Sequence, residues 1–75
     1  MIEVIVEIQT NSIKLSQLIK YIGEVNNGSE AKNLIKTGLV KVNGIVKTTP
    51  GTLIIAGDII KIKEKVYEIK RNDEN

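Results

Sequence analysis

The sequence predicts an α+β fold in which two short helices pack on a small, mostly antiparallel sheet. Three observations lead there. Two apolar stripes at helical spacing follow one another between residues 15 and 35. Stretches of apolar–polar alternation lie on both sides of them. Asn43-Gly44, set between alternating apolar residues, is a strong short-range hairpin signal because both residues tolerate positive φ.

Each element has its own local cause. Ile2, Val4, Val6 and Ile8 alternate with Glu3 and Glu7, so a half-buried strand opens the chain. Thr10-Asn11-Ser12 breaks it. Leu15, Leu18, Ile19 and Ile22 recur at spacings of three and four, which puts them on one helical face, and Gly23 stands where a helix C-terminus accepts it cheaply. Asn27 followed by Glu30 reads as a capping box. Ala31, Leu34 and Ile35 form the next stripe, and Gly38 ends it. Neither helix exceeds two to three turns, so each depends on packing for stability.

The rest reads as strands. Val40 and Val42 flank Lys41, and Ile45-Val46 resume after the Asn43-Gly44 turn. Thr49-Pro50-Gly51 is a second turn, with φ fixed by Pro50. Leu53-Ile54-Ile55 is a short apolar run, and Ala56-Gly57-Asp58 turns again. Ile60 and Ile62 alternate with Lys61 and Lys63. A turn is expected at Glu64-Lys65 before a last strand, Val66–Ile69. Residues 70–75 hold no apolar side chain, so a single domain over 1–70 with a frayed tail at 71–75 is expected.

Composition narrows the function. Seventy-five residues make one domain with a thin core, and leave little room for a deep catalytic cavity. There is no cysteine for a thiolate site and no histidine for general-base work or metal binding. The scattered acids do not follow calcium-loop spacing. No phosphate loop or nucleophile elbow is present. The expectation is a non-catalytic protein without metal or cofactor. No apolar run approaches the roughly 18 residues of a membrane span, and the N-terminus has acids where a secretion signal has bases, so a soluble cytoplasmic protein is expected.

Charge points to a polyanion. Residues 14–65 carry nine lysines against four acids, leaving +5 within a chain whose net charge is +2. Lys32 and Lys36 share a face of the second helix, away from Ala31 and Ile35. Lys41 and Asn43 follow on the outward side of the next strand, and Lys14 and Lys20 flank the first helix. The alternating row Lys61, Lys63, Lys65 reads instead as protection of an edge strand against aggregation. With Tyr21 and Tyr67 as the whole aromatic content, no base-stacking platform is possible. A nucleic-acid ligand would be read through its backbone and shape, as folded or double-stranded RNA is.

The run from Glu30 to Gly44 resembles the signature of the ribosomal protein S-four-type RNA-binding domain, also called the alpha-L motif. Its pattern A-x-x-L-I-x-x-G-x-V-x-V-N-G is met at every fixed position from Ala31 to Gly44. Gly57-Asp58-Ile59-Ile60 fits a second family feature, and Lys14–Lys20 fits the opening helix, so the likeness covers about residues 13–63. Within the superfamily the chain is similar to the short stand-alone bacterial members of the YaaA/YbcJ-like type. The resemblance implies RNA gripped by the second helix and the hairpin after it. It implies a monomer binding structured RNA of the rRNA or tRNA kind, on the ribosome or free, with no membrane and no small-molecule substrate. The residues expected at the RNA are Lys14, Lys20, Lys32, Lys36, Lys41, Asn43 and Lys47. Gly28, Thr49 and Pro50 stand where relatives carry arginine, whose fork holds phosphate in two-pronged fashion. That departure motivates the alternative of a protein–protein interaction module, for instance on ribosomal proteins, with weakened or lost RNA binding.

Overall fold

The computed structural model describes residues 2–72. The elements run β1 (Ile2–Ile8), β2 (Ile13–Lys14), α1 (Leu15–Tyr21), α2 (Gly28–Lys36), β3 (Val40–Val42), β4 (Ile45–Val46), β5 (Leu53–Ile54), β6 (Ile59–Ile62) and β7 (Lys65–Arg71). Five strands form the main sheet in the order β1-β7-β6-β3-β4, and β2 pairs with β5 in a separate two-stranded ladder. The β1–β7 pair is parallel, and all the others are antiparallel. The fold is α+β, two helices against a mixed, mostly antiparallel sheet.

Both helices end as their sequences dictate. Asn27 caps α2: its Oδ1 accepts from the Glu30 amide at 2.9 Å. Glu30 reaches back to the amide of Asn26, also 2.9 Å, one residue before the usual partner in a capping box. Gly38 takes φ +82°, the left-handed conformation that lets the chain turn from α2 into β3. The apolar stripes meet the sheet. Leu15, Leu18 and Ile19 of α1 and Ala31 and Ile35 of α2 are buried with Val40, Val42, Ile60, Ile62, Tyr67, Ile69, Val6 and Ile8 of the strands, joined by Ile54.

Several local expectations are corrected. The turn before β7 falls at Lys63-Glu64, not Glu64-Lys65, and Lys63 takes φ +57°. β7 then runs to Arg71, so Lys70 and Arg71 pair with Glu7 and Ile8, and the Asn72 amide donates to the Ile8 carbonyl at 2.9 Å. The parallel ladder with β1 supplies the order that side-chain polarity does not advertise; residues 73–75 of the expected tail lie outside the described residues. Lys14, counted with the opening helix in the family likeness, forms with Ile13 a two-residue strand, too short to show a period. Ile2 and Val4 lie at the free rim of β1 and are exposed, while Val6 and Ile8 are buried.

One correction bears on function. β6 is not an edge strand: it lies between β7 and β3, and the edges are β1 and β4. Protection of an edge cannot account for Lys61.

Candidate nucleic-acid interface

Residue alternation sorts the lysines by side of the sheet. Val40 and Val42 face the core on which the helices pack, so Lys41 between them projects from the opposite, outer face. Lys41 is paired with Val46 in β4. The Lys47 amide donates to the Val40 carbonyl at 3.0 Å, extending that register by one residue, so Lys47 lies on the helix side. The hairpin therefore sends its two lysines to opposite faces.

Lys32 and Lys36 follow the buried Ala31 and Ile35 by one residue each, about 100° round the helix, and both are exposed. Ser29 and Asn33 of α2 and Thr37 at its C-cap are exposed beside them, as is Glu30. Glu30 has its carboxylate engaged at the Asn26 amide, in the cap rather than among the lysines. The result is a helix face of two ammonium groups and three short polar side chains, with Lys47 on the same side of the sheet. Such a face offers point charges and hydrogen-bond donors to phosphate oxygens.

Lys14 and Lys20 stand at opposite ends of α1, both exposed. Lys14 is the residue before the first helical turn and pairs with Leu53, while Lys20 sits in the last turn, where a cation complements the helix dipole. Asn43 is placed differently from the lysines. Its Nδ2 donates to Asp58 Oδ1 at 3.0 Å and its Oδ1 accepts from the Ile59 amide at 2.9 Å. It holds the β3–β4 turn against the turn before β6. Thus the structure keeps Lys32, Lys36 and Lys47 on one side, and places Lys41 across the sheet. The local pattern named the exposed lysines but not their side, because the side depends on strand pairing. Lys61, set aside by the sequence reading, joins Lys41 on the outer face, directly across from it in the β3–β6 register, and Lys63 in the turn that follows lines the same groove.

Between helices and sheet, the surroundings shift the titration of Glu24 in the α1–α2 loop and of Tyr67 in β7. Glu24 accepts the Tyr67 hydroxyl at 2.5 Å and pairs with Lys65 at 3.3 Å. The Tyr67 hydrogen bond leads in holding its carboxyl below the ordinary value, outweighing partial burial. Burial first, then Glu24, pushes the Tyr67 phenol up to about 12. This network is structural: it ties the loop before α2 to β7.

No helix among the described residues is long and apolar enough to cross a membrane, and none of their acids form a metal-binding group of three.

Comparison with known proteins agrees with this architecture. Residues 6–70 match the S4 domain family. The small ribosomal subunit protein uS4 of Oleidesulfovibrio alaskensis is 33% identical over 52 residues, 69% of this chain. The crystal structure of the 30S ribosomal protein S4e from Thermoplasma acidophilum superposes with a TM-score of 0.71 and 27% identity over 87% of this chain. The chain spans 25% of the former protein and 34% of the latter.

Proposed function

Because the chain belongs to the S4 domain family, we propose that it is a non-catalytic, cytoplasmic module that binds structured RNA, of the ribosomal or transfer type, through the outer surface of α2. The observation that carries this reading is the helix face itself: Lys32 and Lys36, four residues apart and exposed, with Ser29 and Asn33 beside them and the nearest acid tied into the cap. Lys47 adds to this side of the sheet, and Lys14 and Lys20 extend the charge along α1. The ribosomal relatives support an association with the ribosome.

Recognition by lysines is electrostatic, a set of ammonium groups against phosphate oxygens. It fixes position on a folded RNA more than it reads sequence. Neutralising about four phosphates gives a log–log salt slope of roughly −3 to −4. The test is the double substitution Lys32→Glu with Lys36→Glu, titrated against transfer RNA and a ribosomal RNA helix. Affinity is expected to weaken markedly for both RNAs with the circular dichroism of the native fold intact. Undiminished affinity would mean that α2 is not the contact surface. Retention on ribosomes in high salt without affinity for naked RNA would instead mark a protein-docking module.

A further inference from the structure

We propose that the outer face of the sheet carries a second phosphate-contacting site, built by Lys41, Lys61 and Lys63, so that one chain holds two RNA segments, one on each side of the sheet. The inference rests on RNA being the ligand of the α2 face and adds a second surface to it.

Strand register assembles this site. Lys41 of β3 and Lys61 of β6 are direct partners, and the ladder ends at Val40 with Ile62; Lys63 follows in the turn and lines the same groove as Leu39, Lys41 and Lys61. Directly opposed residues hold their Cβ atoms about 4.5–5.5 Å apart, and like charges so placed repel. Three ammonium groups therefore surround one shallow groove of about 230 Å³, lined by Gly38, Leu39, Lys41, Lys61 and Lys63.

The neighbouring acids do not neutralise it. Lys41 and Lys61 have Val46 and Val66 on their other flanks, not carboxylates. Glu68 is diagonal to Lys61 and reaches Lys70 at 3.9 Å. Glu64 follows Lys63 in the turn, and Glu24 feels the charge of Lys63 from a distance while its own contacts are Lys65 and Tyr67. The ion pairs Lys65–Glu24 and Lys70–Glu68 do not involve this trio. The ordinary reason for lysines on strands, protection of an open edge, fails here because β3 and β6 are both interior strands. A repulsive cluster gathered on a paired, solvent-facing surface is relieved by a polyanion. Because β3 separates Lys41 from the helix side, one RNA segment on α2 leaves this surface open to another.

The experiment counts RNA per chain. The protein is mixed with an excess of a short blunt RNA duplex, and complexes are weighed by native mass spectrometry across a salt series. The intact chain is expected to carry two duplexes, the second lost with a log–log slope of about −3 for three phosphates. Lys61→Glu is the decisive variant. It sets a carboxylate across from Lys41 and turns repulsion into attraction, so its melting temperature holds or rises while the two-duplex complex disappears and the one-duplex complex stays. Lys32→Glu with Lys36→Glu should also leave a single duplex, now on the sheet. A chain that never exceeds one duplex, lost through the α2 substitutions alone, overturns the second site while the α2 reading stands. One duplex lost through Lys61→Glu alone overturns both the two-sided arrangement and the α2 assignment. No duplex at any salt overturns both as well.

Discussion

Asn43 donates its side-chain amide to the Asp58 carboxylate at 3.0 Å, across fifteen residues of sequence. The contact unites two turns. Asp58 also accepts from the Ile55 amide at 2.9 Å, and Asn43 accepts from the Ile59 amide while its own backbone amide donates to the Ile59 carbonyl at 2.8 Å. Asn43 takes φ +53° and Gly44 φ +83°, so the residue that makes the tight hairpin also clamps it to the start of β6. The two short motifs that suggested the family, Val-Asn-Gly and Gly-Asp, are halves of one hydrogen-bonded joint.

Removing either half should expose that joint. Asn43→Ala and Asp58→Ala are each expected to cost about 0.5–1.5 kcal/mol, since each removes hydrogen bonds at an exposed joint where water can replace the partner. In the double variant the costs should fall short of their sum, with a coupling of roughly 0.5 kcal/mol or more measured by urea unfolding. Simple additivity would show that the contact carries no energy.

The cap of α2 links stability to binding. Asn27→Ala removes the acceptor for the Glu30 amide and is expected to cost about 1 kcal/mol. Because Lys32 and Lys36 depend on this helix for their spacing, the variant should also bind folded RNA more weakly. Chemical denaturation and RNA titration of the same sample check both effects.

The two lysines of the hairpin should behave differently. With RNA held at α2, Lys47→Glu is expected to lower affinity and reduce the salt slope by about one, as loss of a phosphate contact does. Lys41→Glu should leave affinity at α2 nearly unchanged, since it projects from the other face. Equal losses at that site would contradict the assignment of sides.

Acid should loosen the loop before α2. Glu24 ionises below its ordinary value of 4.5 in the folded chain, so it binds fewer protons folded than unfolded as pH approaches that value from above. Its stabilising contribution is complete above pH 4.5 and is lost as pH falls through the lower, folded value. Tyr67 has the opposite sense: raised to about 12, it contributes fully below its ordinary value of 10.0 and loses that contribution as pH climbs toward 12. Glu24→Gln is expected to flatten the acid limb of a stability–pH profile, and Tyr67→Phe the alkaline limb. Profiles that coincide with the parent chain would deny the network any energetic part.

Much of the fold was legible because its signals are local. Asn27, Glu30 and Gly38 bound α2, and Asn43-Gly44 marks a turn, through chemistry that acts over three or four residues. Strand neighbours were not legible in this way. Nothing near Lys61 says that β6 lies between β3 and β7, and nothing near Ile2 says that its partner is Lys65. The candidate site divides along the same line. Exposure of Lys32, Lys36 and Lys41 follows from alternation with buried neighbours, but the side of the sheet each one serves is decided by pairings across the chain.

The parallel ladder between β1 and β7 has a consequence for how the molecule is made. Within this domain Ile2–Ile8 is made before every other element, yet its hydrogen-bonding partner, Lys65–Arg71, is made after all of them. The helices and the β3–β4 hairpin consist of near neighbours and are free to form in the interval, whereas β1 has no strand to receive it until β7 has been made. Closing the sheet is thus a late event. A chain stopped short of its seventh strand would leave Val6 and Ile8, buried in the finished protein, without their cover.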